Sequence, residues 1–253
     1  MPSPYDGVPS SEWLEVTRRL VNDHPLELIE IRDSCLEAWD LLWQTTIGKD
    51  QVSIPLQETN PPAIVVSYFF ERLLSRVLAS RFPGQWRSGV IKSEKDIVFE
   101  NDHAFSLEVK CSGQLDTKIY GNRSTGQQAK SVRKADKPEK SGYYITVNFY
   151  ETTIMLIRFG WIDQEDWSAQ QAQTGQAAGL PESVYQGKLI EISGEYRKKS
   201  PVQIIKGVGE KKSQELDDLG IRTIHDLLCY SGSDKKITKL LESLVCRPRN
   251  SQT

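Results

Sequence analysis

Residues 95–110, "KDIVFENDHAFSLEVK", restrict the fold more than any other stretch, because apolar and polar residues alternate on both sides of a turn-forming pair. Ile97 and Phe99 share one side of a strand, Asn101 and Asp102 follow, and then Phe105, Leu107 and Val109 alternate with Ser106, Glu108 and Lys110. A period of two is that of a half-buried strand, and two such runs around turn residues predict a β-hairpin. Asp96 and Glu108 each lie six residues from Asp102, so pairing about that turn sets them opposite one another. Glu108 and Lys110 then share a face, and Phe105, Leu107 and Val109 hold the other against a core.

Around this hairpin the pattern is mixed. From Trp13 to Trp43 apolar residues recur at helical spacings, with a break near Asn22 to Pro25, so two amphipathic packing helices are expected. After Pro61 and Pro62, "AIVVSYFFERLLSRVLASRF" reads as a helix apolar around most of its surface and largely buried, with Glu71 and Arg72 in its middle. Glu71 is either a helix-edge charge or a carboxylate aimed into a site. A second hairpin is expected at "YYITVNFYETTIMLIRF", a helix around Asp163 to Ala178, and a short strand at "KLIEI". The segment from Ser112 to Gly142 is too long for an ordinary connection, which marks it as functional or mobile. Together these elements define an α/β chain: a central mixed β-sheet flanked by helices over residues 1–195, and a small all-α module over 196–253.

Composition excludes several classes. Cys35, Cys111, Cys229 and Cys246 form no C-x-x-C pair and the three histidines are far apart, so buried thiols are expected rather than disulfides or a zinc site. The N-terminus lacks a basic start, and "AIVVSYFF" falls well short of the roughly 20 residues that span a bilayer, so a cytoplasmic protein with no membrane partner is expected. The net charge of −2 hides an uneven distribution. Residues 110–140 hold eight bases against three acids and residues 196–253 twelve against seven, whereas residues 1–60 are acidic. Such a chain suits binding a polyanion with one face, although charge runs are also ordinary solvated surface.

Acid-x-Lys triplets are cheap: Glu108 to Lys110, Asp116 to Lys118, Glu210 to Lys212 and Asp234 to Lys236 all qualify. The first alone has an upstream acid at mirror spacing on an alternating strand. Two converging carboxylates repel unless a divalent cation neutralises them, and Mg²⁺, which takes oxygen ligands and keeps several waters, suits Asp96 and Glu108. Lys110 on the same face is placed to orient a water or stabilise charge on a phosphate. The plainer reading is a surface salt bridge on an ordinary hairpin.

The order helix with Glu71, strand with Asp96, strand ending in Glu108-Val109-Lys110 is similar to the PD-(D/E)XK nuclease core. Over about residues 60–195 the chain resembles a type II restriction endonuclease of the ScaI-like group, through "IYGNRSTGQQ" at 119–128 and "RFGWIDQEDW" to "TGQAAGL" at 158–180. Lys95, rather than proline, precedes Asp96, which departs from the signature. The resemblance implies that Asp96 and Glu108 ligand Mg²⁺, that Lys110 serves the attacking water and that Glu71 is an accessory acid. It also implies a homodimer and a cognate DNA methyltransferase in the same host.

"GNRSTGQQ" fits such a role chemically. Asn122, Gln127 and Gln128 can pair bidentately with adenine and Arg123 with guanine, Ser124 can serve either, and Lys118, Lys130, Arg133 and Lys134 suit phosphates. A polar surface loop is the alternative. From Ile204 to Leu228, "IIKGVGEKKSQELDDLGIRTIHDLL" looks like a helix-hairpin-helix. There Gly207 and Gly209 permit a tight turn whose N–H groups face a phosphate, with Lys206, Lys211 and Lys212 nearby. The expected activity is Mg²⁺-dependent, sequence-specific cleavage of double-stranded DNA. The alternatives are a structure-specific DNA repair nuclease and a non-catalytic DNA-binding protein with a degenerate nuclease core.

Overall fold

A computed structural model describes residues 2–122, 140–169 and 177–245 of the chain. Helices α1 (Trp13–Asn22) and α2 (Leu28–Trp43) break where the sequence predicts, and a capping box between Glu27 and Glu30 starts the second. Helix α3 (Ala63–Arg81) begins directly after Pro62, since a helix start tolerates a residue without an N–H. It buries Val66, Phe70, Leu74, Val77 and Leu78, but Ile64, Tyr68 and Phe69 are exposed. The buried stripe is thus narrower than expected, because α3 packs on α2, β3 (Trp86–Ser88) and β5 (Leu107–Ser112) from one side.

The strands in chain order are β1 (Thr46–Ile47), β2 (Ile54–Pro55), β3, β4 (Ile97–Phe99), β5, β6 (Tyr120–Asn122), β7 (Gly142–Tyr150), β8 (Thr153–Ile162), β9 (Ser168–Ala169), β10 (Ala177–Gly179) and β11 (Leu189–Ile192). Six of them form the central sheet in the order β11-β8-β7-β5-β4-β3. Only the β5–β7 pair is parallel, so the sheet is mixed, and the long segment after Ser112 is the crossover that a parallel pair requires. The expected hairpins are present as β4–β5 and β7–β8. Between β4 and β5 the chain makes a 3-10 turn, His103–Phe105, whose N-cap Asp102 accepts the Ala104 N–H at 2.9 Å.

Leu107, Val109, Tyr143, Ile145, Val147, Ile157, Phe159 and Trp161 belong to the main core with Trp39, Phe70 and Leu74. Burying one such aliphatic side chain stabilises by about 1.5–3 kcal/mol, which is why this face holds the strands still. A small second sheet, β6-β10-β9, and helix α4 (Glu182–Gly187) supply Ala178 and Val184, which cluster with Ile119 just ahead of β6, Trp167 just ahead of β9, Tyr144 and Leu189. Gly160 lets β11 run close beside β8: a Cβ there would fall 2.0 Å from the Lys188 carbonyl oxygen.

The helix expected around Asp163 to Ala178 is corrected at its described ends. Gln164–Asp166 is a 3-10 turn, and Ser168–Ala169 and Ala177–Gly179 are strands. Alanine is the best helix former, but that preference is worth less than about 1 kcal/mol per residue, and pairing of Ala177–Gly179 with both β6 and β9 overrides it. Residues 170–176 lie outside the described residues.

A second hydrophobic cluster, with Val202, Ile205, Val208, Leu216, Ile221, Leu227, Ile237 and Leu240, lies in α5 (Glu210–Asp217), α6 (Ile224–Leu228), α7 (Lys235–Val245), the segment before them and the connection between α5 and α6. Tyr196 still belongs to the main core: its hydroxyl donates to the Ile192 carbonyl at 2.6 Å and accepts the Ile157 N–H at 3.1 Å. The change of core therefore falls between Tyr196 and Val202. Ahead of Gly207 the chain makes only two short 3-10 turns, Glu195–Lys199 and Val202–Ile204, where a helix-hairpin-helix has its first helix. Gly207, at φ +90°, needs glycine's freedom, whereas Gly209 is extended at φ −86°, so only one of the two glycines is required by the turn.

Among the thiols, Cys35 is buried as expected, Cys111 is partly buried and Cys229 is exposed; Cys246 lies outside the described residues. No described helix is long and apolar enough to cross a membrane.

Candidate active site

The antiparallel register pairs Ile97 with Leu107, and one step further out this sets Asp96 beside Glu108. Asp96 lies just ahead of β4, where the ladder to β5 ends, and its side chain takes over from the backbone: Oδ2 accepts the Val109 N–H at 2.8 Å. Lys110 Nζ donates to Glu108 Oε1 at 2.6 Å and to the Val109 carbonyl at 3.1 Å, and lies 3.8 Å from Asp96 Oδ2. Each of the three side chains is only 22–24% exposed, so the cluster is recessed yet open to solvent on one side.

The electrostatics follow from this crowding. Burial, then the charge of Glu108, raises the Asp96 pKa, while Lys110, the Val109 N–H and Lys95 oppose the rise. Burial pulls Lys110 down, but Glu108 and Asp96 outweigh it and hold the ammonium above its ordinary value. Glu71 joins the site from α3: burial and then the Asp96 charge push its carboxyl up to about 7, with Arg72 and Lys110 opposing. The structure thus brings all four predicted residues into one electrostatic unit. Among the described residues no group of three or more His, Cys, Asp or Glu is arranged as a ready metal cage. Two neighbouring carboxylates, with the charge of Glu108 acting against ionisation of Asp96, do fit a hard divalent cation completed by water and phosphate oxygens.

Lys95, in the place of the signature's proline, contributes to the site in a way sequence reasoning missed. Its ammonium donates to the Ser141 carbonyl at 3.0 Å, lies 5.6 Å from the centre of the Tyr144 ring and favours the charged form of Asp96. Tyr144 itself is the register partner of Glu108 across the parallel pair. Nothing local in the sequence announces that neighbour, because the two residues are joined by the long crossover.

The other candidates are scattered. Lys118 is exposed just ahead of β6, and Asn122 is the last residue of that strand. Arg123, Ser124, Gln127, Gln128, Lys130, Arg133 and Lys134 lie outside the described residues. In the C-terminal module Lys206, Gly207, Gly209 and Lys211 are exposed and Lys212 is half-buried. A Cβ added at Gly207 or Gly209 would meet nothing within 4 Å, so both stretches of backbone are open to an approaching group.

A mixed sheet with helices on it, and an Asp, Glu and Lys gathered at the edge of its β4–β5 hairpin, is an arrangement of the restriction-endonuclease class. Residues 3–193 match the family model described as ScaI restriction endonuclease. The type II restriction enzyme ScaI of Streptomyces caespitosus is 36% identical over 198 residues, covering 75% of this chain and 84% of that enzyme. A solved restriction endonuclease in complex with substrate DNA covers 80% of this chain and 97% of its own, at 12% identity and a TM-score of 0.37. The chain belongs to the ScaI restriction endonuclease family, and it is a type II site-specific deoxyribonuclease.

Proposed function

We propose that Asp96, Glu108, Lys110 and Glu71 form the catalytic site for Mg²⁺-dependent hydrolysis of phosphodiester bonds in double-stranded DNA. The observation that carries this reading is the register that gathers Asp96, Glu108 and Lys110 around the Val109 amide. A Mg²⁺ bound there would supply Lewis-acid stabilisation of charge on the phosphate. Asp96 and Glu108 would hold it through carboxylate oxygens. The Val109 N–H fixes Asp96 so that little reorganisation accompanies the reaction. Lys110 keeps its proton firmly and donates hydrogen bonds, which suits it to orient an attacking water or to share the charge that develops on phosphate oxygens. Glu71, on a separate helix, is the accessory acid.

In the same reading, residues 119–128 supply base contacts and the segment around Lys206 to Lys212 supplies phosphate contacts as a helix-hairpin-helix within a second domain. The open backbone at Gly207 and Gly209 supports the second role. One site cuts one strand, so a homodimer would pair two sites with a palindromic target. A methyltransferase of the same specificity would protect the host's own DNA, with both enzymes in the cytoplasm. The test is digestion of long duplex DNA of known sequence with and without Mg²⁺, followed by mapping of the ends. Discrete fragments that share one sequence at their ends are expected, and cuts that follow DNA structure rather than sequence would overturn the reading.

A further inference from the structure

The register lines up a row of polar side chains across four strands. Lys110 on β5 is opposite Thr146 on β7, Thr146 is opposite Arg158 on β8, and Arg158 is opposite Glu191 on β11. Arg158 is 3% exposed, and burial lowers its pKa, with Glu191 opposing from 3.8 Å. A guanidinium buried in this way is costly unless its donors are used. Its Nη1 donates to Asn148 Oδ1 at 2.9 Å, while Nε has no hydrogen-bond partner.

Asn148, itself fully buried, passes the contact on: its Nδ2 donates to the Lys118 carbonyl at 2.8 Å. On its other side the guanidinium lies 5.1 Å from the centre of the Tyr185 ring, and the Tyr185 hydroxyl accepts the Ile119 N–H at 2.8 Å. Two side chains from different elements therefore grip the backbone of consecutive residues, 118 and 119, immediately ahead of β6. An apolar residue at 158 would fill the space at lower cost, but it would not set direction. A chain of hydrogen bonds from guanidinium to amide to carbonyl fixes both distance and orientation.

We propose that Arg158, Asn148 and Tyr185 are positioning residues for DNA recognition, which lock the backbone at 118–119, where the proposed base-contacting stretch begins, to the sheet that carries Glu108 and Lys110. The inference rests on the reading that residues 119–128 contact bases.

Asn148→Asp tests it. The aspartate keeps an acceptor for Arg158 and compensates its charge, but it has no donor for the Lys118 carbonyl and sets a carboxylate against it. The expected outcome is an unchanged thermal midpoint to within a few degrees and unchanged binding to a scrambled duplex in Ca²⁺. Cognate single-turnover cleavage and the cognate-to-scrambled binding ratio should each fall on the order of tenfold to a hundredfold. Tyr185→Phe, which keeps the ring and removes only the hydroxyl, should move both in the same direction by less, and it decides the matter if Asn148→Asp does not fold. Wild-type cleavage and discrimination in these variants, beside loss of discrimination in an Asn122, Arg123 and Gln127 alanine variant, would overturn the positioning role alone. Retained discrimination in that alanine variant would overturn the underlying reading of the segment. An equal loss of binding to cognate and scrambled duplexes in Asn148→Asp would also overturn the proposal, since it marks a merely structural role.

Discussion

Asp96 Oδ2 accepts the backbone N–H of Val109 at 2.8 Å, so one carboxylate both ends a strand ladder and faces Glu108 across it. The two roles are separable by substitution. Asn at 96 can still accept that N–H and no longer repels Glu108, whereas Ala leaves the amide without its partner. Asp96→Asn is expected to melt at or above the wild type and Asp96→Ala to lose about 1–3 kcal/mol. Both should lose cleavage, which thermal melts beside a plasmid assay will show.

The two faces of β5 predict opposite phenotypes. Leu107 is fully buried in the main core, so Leu107→Ala should cost about 2–5 kcal/mol while leaving cleavage intact at temperatures where the chain stays folded. Lys110→Ala should abolish cleavage at little cost in stability. Chemical unfolding and cleavage at two temperatures check the pair, and a Leu107→Ala enzyme that is folded but inactive would argue against the separation.

Stability should depend on pH through His24. Packed among Trp86, Phe105, Tyr143 and Phe159, it accepts the Leu26 N–H at 3.1 Å and lies 3.1 Å from the Phe105 carbonyl, a pattern that suits the neutral ring. Burial pulls its pKa from 6.5 down to about 4. Between those values the unfolded chain binds the extra proton, so stability is fully present above pH 6.5 and falls by roughly 3 kcal/mol as pH drops towards 4. Urea unfolding at pH 7, 5.5 and 4.5 should show this slope, and a His24→Asn variant should show less of it.

What the sequence disclosed follows from the distance over which each contact acts. Asp96, Glu108 and Lys110 were legible because an antiparallel hairpin is local, and mirror spacing about Asp102 is its register. Tyr144 and the Arg158–Asn148–Lys118 chain were not legible, since the parallel β5–β7 pair and the cover of β6 join residues far apart in sequence. At its described ends the helix expected around Asp163 to Ala178 gives way for the same reason: local preference is overridden by strand pairing across more than 50 residues, as between Ala178 and Gly121. Glu71 was ambiguous because helical periodicity places a residue on a face without saying what lies opposite.

For the C-terminal module the expected readout is salt dependence. Removing residues 201–253 should weaken binding to all duplexes alike and flatten the log–log salt slope by about 0.9 for each phosphate that the module neutralises, with site choice preserved. Binding to cognate and scrambled duplexes at several salt concentrations in Ca²⁺ checks this, and loss of discrimination on truncation would make the module the specificity element instead.

The central claim, that the β4–β5 hairpin carries the cutting site, is tested most directly by Glu108→Ala on long duplex DNA in Mg²⁺. The wild-type chain is expected to yield discrete fragments, and the variant to leave the DNA intact while still binding duplex and melting within a few degrees of wild type. Cleavage by Glu108→Ala at the wild-type rate and positions would contradict the account.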